Sequence, residues 1–89
     1  MKKGEGMTSD TINLFELDDI NDALIKQTLR EVNDALLERG YNPINQIVGY
    51  LMSGDPGFIS SHRESRNKIS KLDRNKILES LVRNYLKKK

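Results

Sequence analysis

Apolar residues recur at helical spacing early in the chain: Ile25, Leu29, Val32 and Leu36 step by 4, 3 and 4, and Leu24, Ala35 and Leu37 widen the stripe. A helix from about 20 to 39 with one buried face follows. Gly40 stands where a left-handed residue closes a helix, and Asn42-Pro43 offers an N-cap side chain and a first-turn proline for a second helix over 43–53. In that helix Ile44, Ile47, Val48, Leu51 and Met52 predict a short, mostly buried element ending at Gly54. The breaker cluster Ser53-Gly54-Asp55-Pro56-Gly57 predicts a loop over 54–60, with Phe58 and Ile59 as its anchors in the core. Ser61-x-x-Glu64 is a capping-box pattern, so a third helix is expected from Ser61, with Ile69 and Leu72 as its main apolar residues. Asp73 then reads as the N-cap of a fourth helix to about 87, where Ile77, Leu78, Leu81, Val82, Tyr85 and Leu86 form two adjacent rows.

The N-terminal stretch reads differently. Residues 1–9 show no apolar period and hold two glycines, so little repays the entropy of ordering them. Residues 10–19 carry Ile12, Leu14, Phe15 and Leu17 and could lie extended against the domain, with Asp18-Asp19 as N-cap oxygens for the first helix. No internal repeat and no strand-like alternation is present. The predicted fold class is therefore all-α: a small compact bundle of four to five helices, with a flexible N-terminal arm over 1–10 and a single helical domain over 11–89. A chain of 89 residues does not easily cover a face containing Ile47, Val48 and Leu51, so burial of that face in a homodimer is expected, with Gly49 as a point of close approach.

Charge changes this picture more than composition does. The net charge is only +2, yet residues 1–40 hold 5 Lys+Arg against 9 Asp+Glu, and residues 41–89 hold 10 against 4. The near-neutral total conceals halves of −4 and +6. Cysteine is absent, which excludes disulfide staples, thiol nucleophiles and cysteine metal sites. No apolar run approaches the roughly 20 residues of a membrane span, and Met1-Lys2-Lys3 is followed by Gly and Glu instead of a signal-peptide apolar stretch. A soluble cytoplasmic protein without membrane insertion is expected.

The candidate chemistry lies in the basic half. His62, Arg63, Arg66, Lys68, Lys71, Arg74 and Lys76 mostly lack an acidic neighbour at i+4, so they form no internal ion-pair ladder and suggest a face that grips carboxylate or phosphate. A solvated helix surface is the plain alternative. Helices two and three resemble a helix-turn-helix in outline, but the linker from Gly54 to Ser60 is longer than that motif allows and the acidic first half would repel a phosphate backbone. Nucleic acid is therefore an unlikely partner, and a small nucleic-acid-binding helical protein is kept as the alternative. An enzyme is disfavoured: the chain has one histidine, no cysteine and no Gly-rich phosphate loop. Asp18, Asp19 and Asp22 lack the glycine and terminal glutamate of a calcium loop, so neither metal nor cofactor is expected. Thr8, Ser9 and Thr11 are hydroxyls in the arm, where a phosphate would add up to two negative charges and three acceptor oxygens.

Residues 40–56, Gly-Tyr-Asn-Pro-Ile-Asn-Gln-Ile-Val-Gly-Tyr-Leu-Met-Ser-Gly-Asp-Pro, closely resemble the signature of the IreB/ReoM family of small regulatory phosphoproteins of Gram-positive bacteria. The similarity continues through Ile59, His62, Arg66, Ile69, Lys71-Leu72, Arg74, Ile77, Glu79, Leu81-Val82 and Tyr85-Leu86, covering the chain from about Thr11 to Leu86. The resemblance implies an all-helical homodimer without enzymatic activity, phosphorylated on an N-terminal threonine by a PASTA-type Ser/Thr kinase and reversed by the cognate phosphatase. It further implies a role in cell-envelope homeostasis and in β-lactam tolerance, including cephalosporin resistance. In some members the unphosphorylated form promotes degradation of a peptidoglycan-precursor enzyme by a Clp-type protease. Thr11 matches the family phosphothreonine by its distance from Asp18-Asp19, with Thr8 as a secondary site, and His62, Arg66, Lys71 and Arg74 match the family's basic positions. Where relatives commonly read Pro-Arg before the histidine this chain reads Ser60-Ser61, with Arg63 as the compensating cation, and Ser65 replaces an Ala. A phospho-regulated adaptor, a nucleic-acid binder and a purely structural dimer are the three functional classes that follow.

Overall fold

The computed structural model describes the backbone of residues 6–87 and the side chains of residues 18–87. Four α-helices follow one another: α1 Gly6–Glu38, α2 Pro43–Ser53, α3 Ser65–Ser70 and α4 Arg74–Lys87. Two single 3-10 turns, Pro56–Phe58 and His62–Glu64, lie between α2 and α3, and no strand occurs among the described residues. The fold is all-α. Helices α2, α3 and α4 each pack on α1, which presents Ile25, Thr28, Val32, Ala35 and Leu36 as a buried stripe at spacings of 3, 4, 3 and 1. Into that stripe pack Tyr50 and Leu51 from α2, Ile59 from the loop, Ile69 from α3 and Ile77 from α4, with Leu29, Ile47, Phe58 and Leu72 at the margin.

The helix boundaries are set by local chemistry. Asn42 is extended, and its side-chain oxygen accepts from the Asn45 N–H at 3.1 Å, with Pro43 at the first helical position of α2. Gly54 ends that helix at φ 76°, its N–H bonded to the Tyr50 carbonyl, and Gly40 at φ 82° turns the chain after α1. Asp73 caps α4 through its side chain, which accepts from the Asn75 N–H at 2.8 Å.

Three expectations are corrected. Helix α1 begins at Gly6, so residues 10–19 are helical where an extended segment was expected, and Asp18 and Asp19 lie inside a helix instead of capping one. Residues 1–5 of the expected arm lie outside the described residues. The Ser61-x-x-Glu64 capping box does not form: the Ser61 side chain makes no capping bond, and Arg63 and Glu64 are both left-handed, so α3 starts only at Ser65. Helix α2, expected to be mostly buried, buries only Tyr50 and Leu51, while Ile44, Val48 and Met52 face outward.

Two small residues decide the packing of the loop. A Cβ at Gly49 would collide with the ring of Phe58, so that ring lies directly on the backbone of α2. Gly49 is thus a close-approach point, for the chain's own loop. Ser65 is fully buried and its hydroxyl has no hydrogen-bond partner. The two sites are expected to respond in opposite directions. Gly49→Ala forces the phenyl ring out and should cost about 1–3 kcal/mol, whereas Ser65→Ala removes an unsatisfied hydroxyl and should stabilise by about 1 kcal/mol. Urea denaturation of the two variants checks both signs.

Candidate functional site

The five basic residues expected to contact a partner come from the turn before α3, from α3 itself and from the entry to α4. Most have duties within the chain. Arg66 donates through Nε to the carbonyls of Pro56 (3.1 Å) and Ile59 (2.9 Å). Arg74 donates through Nη1 to the Leu51 carbonyl at 3.0 Å, and its guanidinium lies so close to Gly54 that a Cβ there would meet it at 2.8 Å. The Leu51 and Ile59 carbonyls gain their donors in this way, while the Pro56 carbonyl, which already accepts from the Ile59 N–H at 3.0 Å, gains a second. Each remains exposed at the surface. Lys71 is exposed and makes no side-chain bond among the described residues.

His62 and Arg63 form a second group with Glu38, the last residue of α1. His62 Nε2 lies 2.7 Å from Glu38 Oε1, and Arg63 Nη1 donates to Glu38 Oε2 at 3.0 Å. One carboxylate is thus held on both oxygens. The bond with His62, and then the charge of Arg63, hold the Glu38 carboxyl below its usual range against the partial burial that would raise it. The backbone that presents these cations is strained: Arg63 sits at φ 57°, ψ 30° and Glu64 at φ 62°, ψ 21°. Left-handed geometry costs a residue with a Cβ roughly 1–2 kcal/mol. The Ser60 hydroxyl accepts from the His62 N–H at 3.0 Å and so fixes the start of the turn.

Two further contacts tie α1 to the basic half. Lys68 of α3 pairs with Glu31 at 3.2 Å, and Glu31 is held below its usual range first by a bond from Gln27 and then by Lys68. Arg83 of α4 grips Asp22 at 2.7 Å and 3.4 Å, with Asn84 donating to the same carboxylate at 3.2 Å. Arg83 holds the Asp22 carboxyl down at about 2; burial opposes this, and Ser80 and Asn84 add to it. Asp22 is therefore an anchor between α1 and α4, and among the described residues no three acidic or histidine side chains converge.

The remaining site expectations divide. Thr8 and Thr11 fall on the α1 backbone, but their side chains lie outside the described residues. Of the three residues expected at a dimer interface, Val48 is outward-facing, Ile47 is half-buried at the core margin and Leu51 is buried within the protomer. Leu51 is thus corrected to a core residue, because the α2 stripe that meets α1 runs through Ile47, Tyr50 and Leu51. The row left uncovered is Ile44, Val48 and Met52, and α4 leaves Leu78, Val82, Tyr85 and Leu86 exposed as well. The resemblance to a helix-turn-helix does not survive: residues 54–64 separate α2 from α3, and α3 is six residues long. No helix of the described residues is long and apolar enough to cross a membrane.

A family model described as IreB regulatory phosphoprotein matches residues 10–87. The matched span takes in α2, α3, α4 and nearly all of α1, so the class of protein defined by this fold and its basic turn is that of small regulatory phosphoproteins. The chain belongs to the IreB family. Thr11 and all five basic residues lie within the match, and Thr8 lies just outside it.

The Asp22–Arg83 contact gives a pH dependence of defined sign. A carboxyl whose pKa is lowered by folding contributes stability that is complete above the ordinary carboxylate pKa and is lost as pH falls from about 4 to about 2. Asp22→Asn is expected to be about 1 kcal/mol less stable at pH 7, with the gap to the parent closing over that acid window. Thermal unfolding of both proteins between pH 7 and pH 2 checks it.

Proposed function

We propose that the protein is a non-enzymatic cytoplasmic phosphoprotein whose N-terminal threonine, Thr11 first and Thr8 second, accepts phosphate from a PASTA-type Ser/Thr kinase and loses it to the cognate phosphatase. Its basic turn, with Lys71 and the outer edges of Arg66 and Arg74, contacts a protein partner in the control of peptidoglycan synthesis. A Clp-type protease, or the peptidoglycan-precursor enzyme that it degrades, is the partner this reading offers first, and the output is cell-envelope homeostasis and β-lactam tolerance. The observation that carries the reading is the family match across residues 10–87, which includes both Thr11 and the basic positions. Charge supports it: the acceptor lies in the −4 half and the cations in the +6 half, so a phosphate of nearly −2 would bring the chain close to neutral.

A homodimer belongs to the same proposal. The rows Ile44, Val48 and Met52 on α2 and Leu78, Val82, Tyr85 and Leu86 on α4 are exposed, which supports an interface with another protein surface. A second copy would bury these rows, with Val48 central and Ile47 at the margin. On this reading Val48→Asp gives a monomer in sedimentation velocity at concentrations where the parent is a dimer; an unchanged sedimentation coefficient removes Val48 from the interface.

Mass spectrometry after incubation with kinase and ATP is expected to find phosphate on Thr11, with Thr11→Ala losing most of it; full incorporation in that variant overturns the assignment. For the partner face Lys71→Ala is the cleanest probe, because Arg66 and Arg74 also hold backbone carbonyls. Capture of the partner by the unphosphorylated protein should fall several-fold in Lys71→Ala with the helical circular dichroism unchanged. Equal capture by parent and variant removes Lys71 from the face.

A further inference from the structure

We infer that His62 and Arg63 form a carboxylate-binding site for an acidic segment of the partner, and that Glu38 occupies this site in the free protein as an internal stand-in. The inference rests on the reading of the basic turn as a partner face. What the site accepts is shown by what it already holds: one carboxylate, bonded on one oxygen by His62 and on the other by Arg63. The ligand is also exchangeable. The Glu38 side chain is 50% exposed and that of Arg63 51%, so an incoming carboxylate can reach the guanidinium without opening the core.

The frame around the pair is far more constrained than the ligand. Consecutive left-handed residues at Arg63 and Glu64 aim the turn back at the end of α1, in place of the helix that the Ser61-x-x-Glu64 pattern would otherwise favour. The Ser60 hydroxyl holds the His62 N–H, and Arg66 holds the carbonyls of Pro56 and Ile59 upstream. A fixed pair of donors facing a half-exposed surface glutamate is the arrangement of a pre-formed site with an internal competitor. Lys68 repeats the theme with Glu31, two turns earlier on α1 and thus about 10 Å away. An acidic peptide lying along this edge of α1 would meet both cationic positions.

Hexaglutamate is the probe, titrated into the full-length protein while the His62 ring and Arg63 Nε signals are followed by NMR. Glu38→Gln removes the competitor and should tighten binding at these signals at least threefold. Glu79→Gln makes the same change in net charge on α4, away from the site, and should give no such gain. Arg63→Gln added to Glu38→Gln should abolish the gain. The inference is overturned if Glu38→Gln binds no tighter than the parent, if Glu79→Gln gains as much, if the gain survives loss of Arg63, or if no titration at His62 and Arg63 is seen in Glu38→Gln. These outcomes involve no natural partner. Tighter hexaglutamate binding alongside unchanged partner capture by Lys71→Ala would keep the site and narrow the face, whereas the reverse result would keep the face and discard the site.

Discussion

Backbone carbonyls released at the end of α2 and along the loop after it must find donors, and two guanidinium groups supply them. Arg74 reaches back to Leu51 and Arg66 to Ile59, and Arg66 adds a second donor to the Pro56 carbonyl beside the Ile59 N–H of the 3-10 turn. Without these bonds Ile59, which is fully buried, would have to enter the core on a segment with unpaired polar groups, at a cost comparable to the gain from burying it. The loop in turn brings Phe58 onto Gly49 and sets the start of the His62–Glu64 turn. The cations that mark the positive half are therefore fold-determining first, and whatever a partner reads is the part of each guanidinium that the loop leaves over.

The division of charge along the sequence has a matching structural meaning. Among the described residues, the ion pairs Asp22–Arg83, Glu31–Lys68 and Glu38 with His62 and Arg63 each join α1 to the basic half, and the Lys76–Glu79 pair is the exception, lying within α4. Each surface pair is worth little alone. Together they run along one helix and fix how the other elements lie on it, which apolar contacts, being non-directional, specify poorly. The unequal halves are in large measure the two sides of one internal interface.

Features determined by neighbouring residues were legible in the sequence. Asn42-Pro43, Gly40, Gly54 and Asp73 act through bonds spanning a few positions, and each lies where the pattern puts it. The start of α1 was not legible, because residues 1–19 offer neither a strong cap nor a clean apolar period to fix it. The left-handed pair at Arg63 and Glu64 was hidden for the opposite reason: a good local signal, the capping box, is overridden by tertiary contacts to Glu38, Pro56 and Ile59. Tyr50 was missed as a core residue because the apolar row of α2 was drawn through aliphatic positions, although it is 6% exposed. Of the candidate site, the identity of the cations was legible and their partners were not, since a carbonyl acceptor leaves no mark in a sequence.

The Asp22–Arg83 bond joins positions 61 residues apart, near opposite ends of the described chain. During synthesis α1 emerges first, with its apolar stripe uncovered, and Ile77 and Arg83 are among the last contributors to reach it. A nascent chain cut short before α4 would leave that stripe partly bare and Asp22 without its counterion. The stripe on α1 is therefore closed only once α4 is in place, and a chain lacking α4 exposes apolar surface of the kind that promotes aggregation.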